Sequence, residues 1–434
     1  MNTAAFYTLG CKVNQYETEA VQELFEKEGY VTVPFTEKAD CYIINTCSVT
    51  SMSDRKSRQM IRRARKTNPD ALIAVMGCYS QTAPDEVLAI DGVNLVLGTK
   101  DKSSAVRLIK TLRRGDKLNA VTDVRDNHTY EELRVMRCSS DRTRAYIKIQ
   151  DGCSQFCSYC IIPYARGPVR SRPESEILEE ARSLAGAGCK EIILTGIHAA
   201  AYGRDLGTTS LEQLLHRLDK TEGLSRIRLS SIEPMTLDTA FVDSIKSCKL
   251  LCPHFHISLQ SGCDETLRRM NRHYTTAQFE SVVNGLREAF PGCAVTTDIM
   301  VGFAGETDEE FEETLEFVKR IRFADAHVFQ YSQRRGTPAA RRPDQIPPNI
   351  KEERSKEIIK QTQQSRSVFL NGHIGKTADV LFETRTKDGL YEGKTANYIT
   401  VRVPSFGAGD MTGQFRRVIL EREENGIMFG KTVD

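Results

Sequence analysis

The chain has 434 residues, of which 40% are hydrophobic and 27% charged, with a formal net charge of +2. That length exceeds one compact core and suggests about three domains, while a near-neutral balance assigns no nucleic-acid partner by itself. No apolar run approaches the roughly 18 residues that cross a bilayer, and "MNTAAFYTLG" lacks the shape of a secretory signal, so a cytoplasmic protein with no membrane partner is expected.

Residues 1–118 alternate apolar stretches with amphipathic ones. "AAFYTLG", "CYIINT", "ALIAVMG" and "VNLVLG" read as buried parallel strands. Over 15–28, Tyr16, Ala20, Val21, Leu24 and Phe25 share one helical face, and Gly29 stops it. Pro84 suits the first turn of a further helix. Residues 119–140 are polar without apolar period and read as a linker. Across 141–370 a β-then-α pattern recurs six times, with strands "RAYIKIQ", "KEIILTG", "RIRLSSI", "HFHISLQ", "CAVTTDIMVG" and "DAHVFQYS" and a trailing helix over 351–370. The fold class is therefore α/β: an N-terminal parallel domain and a partial (βα)6 barrel, with chemistry at the carboxyl ends of the strands. The last segment, 371–434, is β-prone and glycine-punctuated, which predicts a small all-β barrel.

Thirteen cysteines in a reducing compartment favour metal binding or catalysis over disulfides. "DGCSQFCSYC" places Cys153, Cys157 and Cys160 as C-x3-C-x2-C directly after a strand. Three close thiolates fit three corners of a 4Fe-4S cubane and leave one iron open for a substrate or cofactor. Zinc with a fourth ligand from elsewhere, or a chance grouping, stays open at this point. Later strand ends are polar where a barrel mouth would be, at Thr195, Gly196, Ser231, Glu233, Gln260, Ser261 and Asp298. Cys11, Cys47 and Cys78 each follow an apolar strand, one βαβ repeat apart, so parallel strands can bring them to one edge. Each alone reads as a buried packing residue; together they suggest a second cluster.

C-x3-C-x2-C with Tyr159 before the last cysteine resembles the radical S-adenosylmethionine (SAM) superfamily. "LGCKVNQYE", "NTCSVT" and "GCYSQ", with "RIRLSSIEP", "HISLQSG" and the β-rich tail, resemble the methylthiotransferase family across nearly the whole chain. The resemblance implies two 4Fe-4S clusters, one on each cysteine trio. It also implies SAM as methyl donor and radical source, with Tyr159 near its adenine, and a C-terminal TRAM domain that binds RNA. "GCKVNQYE" is most similar to enzymes acting on a tRNA anticodon loop that carries N6-threonylcarbamoyladenosine. Relatives acting on isopentenyladenosine or a ribosomal-protein aspartate are the alternatives, as is a non-catalytic iron-sulfur RNA-binding sensor. An electron donor such as flavodoxin or ferredoxin is implied. Two positions depart from the family pattern: Ala304, where proline is usual, and the alanines 199–201, where a glycine is common.

"RKSRQMIRRARK" carries Arg55, Lys56, Arg58, Arg62, Arg63, Arg65 and Lys66, leaving Met60, Ile61 and Ala64 for a core. Such a run is ordinarily a solvated helix face; with a phosphate-rich substrate it becomes a candidate RNA contact. Arg402, Arg416 and Arg417 are weaker candidates among acidic neighbours, and Cys248 and Cys252 read as structural.

Overall fold

The computed structural model describes residues 2–136, 143–404 and 409–433. Six parallel strands form the first sheet, in the order β2 (Val31–Thr32), β1 (Thr3–Thr8), β3 (Cys41–Thr46), β4 (Leu72–Gly77), β5 (Val93–Val96) and β6 (Leu118–Asn119). β3 is buried along its whole length, as a strand covered on both faces must be. The helices that matter for the site are α1 (Lys12–Lys27), α2 (Ser51–Thr67) and α3 (Cys78–Thr82). α1 starts at once after β1, with extended Cys11 as its N-cap, and buries Val13, Tyr16, Ala20, Val21 and Phe25. α2 is capped by the Thr50 side chain, which accepts from the Ser53 N–H, and turns Ser57, Met60, Ile61 and Ala64 inward. Register pairs Thr8 with Asn45 and Thr46 with Gly77, so three strand-to-helix turns open on one edge.

The second sheet runs β10 (Arg226–Leu229), β9 (Glu191–Gly196), β7 (Arg144–Asp151), β8 (Arg170–Ser171). The third runs β11 (His254–Gln260), β12 (Ala294–Val301), β13 (Asp325–Gln330). Bridges Ile227 to Leu251 and Ile232 to Ile257 join the two, giving the expected arc of six parallel strands. β8 is an antiparallel addition that its two-residue length hid from the periodicity. Ile147, Leu194, Ile227, Ile257, Ile299 and Phe279 form the core of the arc.

β14 (Thr377–Arg385), β15 (Tyr391–Thr395), β16 (Thr400–Val403), β18 (Ile427–Thr432) and β17 (Phe415–Glu424) close into a barrel in that order. It is filled by Val380, Phe382, Val401, Val418, Leu420 and Met428. Arg226 and Arg228 of β10 dock it: their guanidinium groups donate to the carbonyls of Asp379 (2.6 Å), Lys394 (2.9 Å) and Ala396 (2.9 Å).

The stretch read as a linker has no regular structure from Ala120 to Met136, yet it is a packed strap; 137–140 lie outside the described residues. Leu133 and Val135 are buried against Tyr16 and Ala20 of α1. The Tyr16 hydroxyl donates to the Leu133 carbonyl, and the Glu180 carboxylate accepts the Val135 N–H at 3.0 Å. Its polar side chains are engaged on both sides: Glu131 accepts the Ser103 N–H, while Glu132 and Arg134 pair with Arg172 and Glu176. Among the described residues no helix is long and apolar enough to cross a membrane.

Candidate functional site

A cavity of about 1010 Å³ opens past the carboxyl ends of β7, β9 and β10 and runs along β11 to the middle of β12 and the first half of β13, and Cys11, Cys47, Cys153, Cys157 and Cys160 all line it. The loop after β7 is fixed by its own backbone. The Cys153 N–H donates to the Gly167 carbonyl at 3.0 Å, that of Cys160 to Cys157 at 2.9 Å, and that of Ser158 to Met270 at 2.9 Å. Gly152 enters the loop at φ +73°, and a Cβ there would lie 1.8 Å from the Pro168 carbonyl oxygen. Burial pushes the Cys153 thiol up to about 11 and the Cys160 thiol up to about 12, each raised further by its neighbouring thiols. Arg272 donates to the Cys157 sulfur at 3.4 Å and pairs with Glu233 at 2.5 Å.

Cys11, Cys47 and Cys78 form the second group. Cys11 is exposed to the cavity, Cys47 is buried at its wall, and Cys78 opens α3 behind them, fully buried. Burial pushes the Cys78 thiol up to about 11; Arg166 opposes this, while Cys47 and Cys11 add to it. Arg166 belongs to a network with almost no solvent exposure. Its Nη1 lies 2.9 Å from Glu17 and 3.0 Å from Asp151, and its Nη2 donates to Asn14 Oδ1 at 2.7 Å. Lys148 pairs with the same two carboxylates at 2.8 and 2.7 Å; Lys102 reaches Glu17 at 3.3 Å and Arg170 reaches Asp151 at 3.6 Å. Burial works against both acids, yet these cations hold their carboxyls well below the ordinary range. Four buried bases face two buried acids; burial works against the charge on Lys102, and Arg166 brings the remaining surplus to Cys78.

Anionic clusters on thiolates suit that surplus, and unpartnered atoms point the same way. The buried Arg166 Nε, His198 Nε2, Ser230 Oγ and His254 Nδ1 have no hydrogen-bond partner. Among the described residues no three His, Cys, Asp or Glu side chains gather tightly enough for a single ion. Three thiolates supply one ligand to each of three irons of a cubane, whereas a structural zinc ion needs a fourth ligand.

Of the residues expected at the barrel mouth, Tyr159, Thr195, Gly196, Ser231, Glu233, Gln260 and Asp298 line the cavity. Ser261 does not. Gln260 takes φ +67°, which turns the chain away and leaves the Ser261 hydroxyl 3.2 Å from Thr314 Oγ1 and accepting the Cys263 N–H at 3.2 Å. Its role is structural, a correction to the strand-end pattern. The alanines 199–201 make a buried 3-10 turn, and Ala304 is buried beside Met300, Phe303 and Tyr331.

Lys12, His254, His256, Arg272, His327 and Tyr398 also line the cavity, and none carried a spacing signal. Asp298 lies 3.1 Å from His256 Nε2 and 3.4 Å from His327 Nδ1; burial opposes its ionisation, but these contacts hold its carboxyl well below the ordinary range. Tyr398 comes from the turn between β15 and β16 in a left-handed conformation, φ +69°, of a kind that costs on the order of 1–3 kcal/mol and persists where surroundings enforce it. His254 stacks on its ring at 4.6 Å between centroids, while Arg228, Lys394 and Arg144 lie 4.6, 4.9 and 5.6 Å from the ring centre. Burial disfavours its ionisation, yet Arg144, Lys12 and Lys394 hold the phenol below its ordinary value.

On α2, Arg55, Lys56, Arg62, Arg63 and Lys66 are exposed, and Arg55 and Lys56 line a second depression that shares Gly10 with the cavity. Arg58 and Arg65 are taken up by Glu86 and Asp91. In the small barrel Arg402 pairs with Glu392 at 2.7 Å, Arg417 lies 3.9 Å from Asp379, and Arg416 bonds to its own strand. Cys248 lies 3.5 Å from His216 Nδ1 and Cys252 is buried, and neither lines the cavity.

Residues 147–318 match the radical SAM superfamily and residues 3–98 a family described as uncharacterized protein family UPF0004. The chain is 44% identical to the threonylcarbamoyladenosine tRNA methylthiotransferase MtaB of Bacillus subtilis (strain 168), over 96% of this chain and 93% of that one. Against the protein of the same name from Thermotoga maritima it is 38% identical, over 99% and 96%. Against the tRNA-2-methylthio-N(6)-dimethylallyladenosine synthase of Pelotomaculum thermopropionicum it is 36% identical, over 86% and 85%. Among solved structures, the radical SAM methyltransferase TsrM from Kitasatospora setae, with cobalamin and a [4Fe-4S] cluster bound, superposes with a TM-score of 0.59 at 16% identity, covering 78% of this chain and 77% of that one. That likeness concerns the fold.

Proposed function

We propose a reaction for a chain that belongs to the tRNA methylthiotransferases of the radical SAM superfamily: it adds a 2-methylthio group to N6-threonylcarbamoyladenosine beside the anticodon of tRNA. One observation carries the reading, namely that thiols from two separate cysteine trios open on a single cavity. In it Cys153, Cys157 and Cys160 would hold the cluster that binds SAM, and Cys11, Cys47 and Cys78 an auxiliary one. Cluster and SAM, when bound, supply the one-electron cleavage that lets an unactivated adenine C–H be attacked, which no side-chain acid or base here could achieve.

The chain's own residues orient and enclose. Arg272 neutralises charge at Cys157 and is itself fixed by Glu233. Tyr159, packed edge-on against Phe303 with centroids 6.3 Å apart, offers a flat face for the adenine of SAM. Thr195, Gly196, Ser231 and Gln260 give the strand ends polar groups for its remaining atoms. The exposed cations of α2 beside the cavity support a phosphate-backbone contact, and the closed five-strand barrel supports a TRAM-type RNA-binding role. A cytoplasmic flavodoxin or ferredoxin would supply the electron.

Nucleoside mass spectrometry of tRNA from a deletion strain tests the reading. N6-threonylcarbamoyladenosine lacking its 2-methylthio group should accumulate, and complementation should restore the modification. Loss of the 2-methylthio dimethylallyl nucleoside instead, or of a methylthiolated ribosomal-protein aspartate, would overturn the substrate. Absence of 5′-deoxyadenosine from the reduced, iron-loaded protein would return the chain to a non-catalytic sensor.

A further inference from the structure

The nucleosides named for the two groups of relatives differ most in charge: the threonylcarbamoyl group carries an ionised carboxylate besides its hydroxyl and ureido linkage, and the dimethylallyl group is a hydrocarbon. One end of the cavity is built for the former. Lys12 is the first residue of α1, follows Cys11 directly and lines the cavity. The helix has no side-chain cap and no acidic residue in its first turn, so its free N–H groups and positive pole face the same space. The cavity's other cations and acids are already matched: Arg272 with Glu233, Asp298 with His256 and His327, and Asp325 with Arg366. Lys12 is exposed on the cavity wall, and among the described residues no ion pair engages its ammonium.

A second, independent observation lies beside it. His254 is 6% exposed and lines the cavity; its Nε2 lies 3.1 Å from Thr296 Oγ1, and its Nδ1 has no partner. Ser230, also 6% exposed and also lining the cavity, has an unpartnered hydroxyl. A cation without a counter-ion and polar atoms without partners favour an anionic group and penalise a hydrocarbon, which would leave them desolvated.

We propose that Lys12, with the α1 N-terminus, His254 and Ser230, forms a carboxylate subsite that reads the threonine carboxylate of the modified adenine, and that Tyr398 closes its far wall. The inference rests on the substrate reading above. It makes Lys12 a specificity residue, and one carried by the same helix start that presents Cys11.

The iron-loaded full-length enzyme is tested on two synthetic anticodon stem-loops, one with N6-threonylcarbamoyladenosine and one with its threonine methyl ester. The wild type should favour the acid in kcat/KM by roughly ten- to a hundredfold, the range of one charge-assisted contact. Lys12→Gln should bring the two substrates to within about twofold by raising KM for the acid, whereas Lys12→Arg should keep most of the preference. Iron content and the cluster absorption spectrum of each variant report whether the protein is intact. Full preference retained in Lys12→Gln, or equal loss on both substrates, overturns the subsite. A weakened Kd for SAM with the preference intact also overturns it, by assigning Lys12 to the carboxylate of SAM. A wild type that thiolates neither stem-loop overturns the substrate reading, and the subsite with it; acid and ester thiolated equally overturns the subsite alone.

Discussion

The two cysteine trios reach the same cavity by opposite routes. Cys153, Cys157 and Cys160 occupy one loop whose backbone hydrogen bonds and entering glycine set their positions. Cys11, Cys47 and Cys78 depend on the register of three strands and on a buried charge network that spans two domains. A site made by a loop tolerates change elsewhere in the fold. One made by topology is as rigid, and as vulnerable, as the sheet beneath it.

The sharpest break between them is functional. Cys153→Ala should abolish SAM cleavage, measured as 5′-deoxyadenosine, whereas Cys11→Ala should keep cleavage and lose thiolation. Either variant should lower iron from about eight to about four per chain after anaerobic reconstitution. Intact thiolation with about four irons in the wild type would sink the two-cluster reading.

Backbone substitutions separate the routes next. Gly77 stands at φ +104°, where a Cβ would lie 2.4 Å from the Thr46 carbonyl oxygen. Gly77→Ala should cost at least about 2 kcal/mol in urea unfolding, because a strained φ and a backbone clash add. Gly152→Ala, with its own backbone clash, should be no milder locally. It should deplete iron from the SAM-cleaving trio first, as judged by loss of 5′-deoxyadenosine formation.

The charge network predicts a pH effect on one side only. Glu17 and Asp151 have folded pKa values well below their unfolded ones, so the unfolded chain binds more protons as pH falls. Their stabilisation is complete above the unfolded carboxylate range of about 4 and is lost progressively below it. Glu17→Gln leaves Arg166, Lys148 and Lys102 underbalanced, should cost about 3 kcal/mol, and should flatten the acid limb of a midpoint-against-pH curve. An unchanged slope would assign acid sensitivity to other groups. At the small end, Arg62→Glu on the exposed face of α2 should change stability by less than about 0.5 kcal/mol. It should also reduce the salt dependence of tRNA binding by a slope of about 1.

This contrast also explains what could be read from the chain. The compact trio is a spacing motif and needs no fold to be recognised. The dispersed one was legible because each cysteine ends an apolar strand, and parallel strands share an edge. Glu17 with Arg166 is a contact between domains, and Cys11 and Tyr398 come to one cavity from distant parts of the chain; nothing periodic links such positions. Ser261 misled for a local reason: strand-end polarity signals a mouth only if the chain continues toward it, and the turn at Gln260 reverses that. Lys12 sat inside a quoted motif, yet its lack of a counter-ion becomes visible only when every other charge has been matched.

The Tyr398 turn has a consequence for biosynthesis. Translation delivers all six cysteines of the two trios long before the residue that walls the cavity, since Tyr398 lies in the small barrel, which Arg226 and Arg228 hold to the arc through its carbonyls. A chain that stopped before β14 would leave both cysteine trios without that wall. Docking of the final domain then completes the enclosure of the cavity.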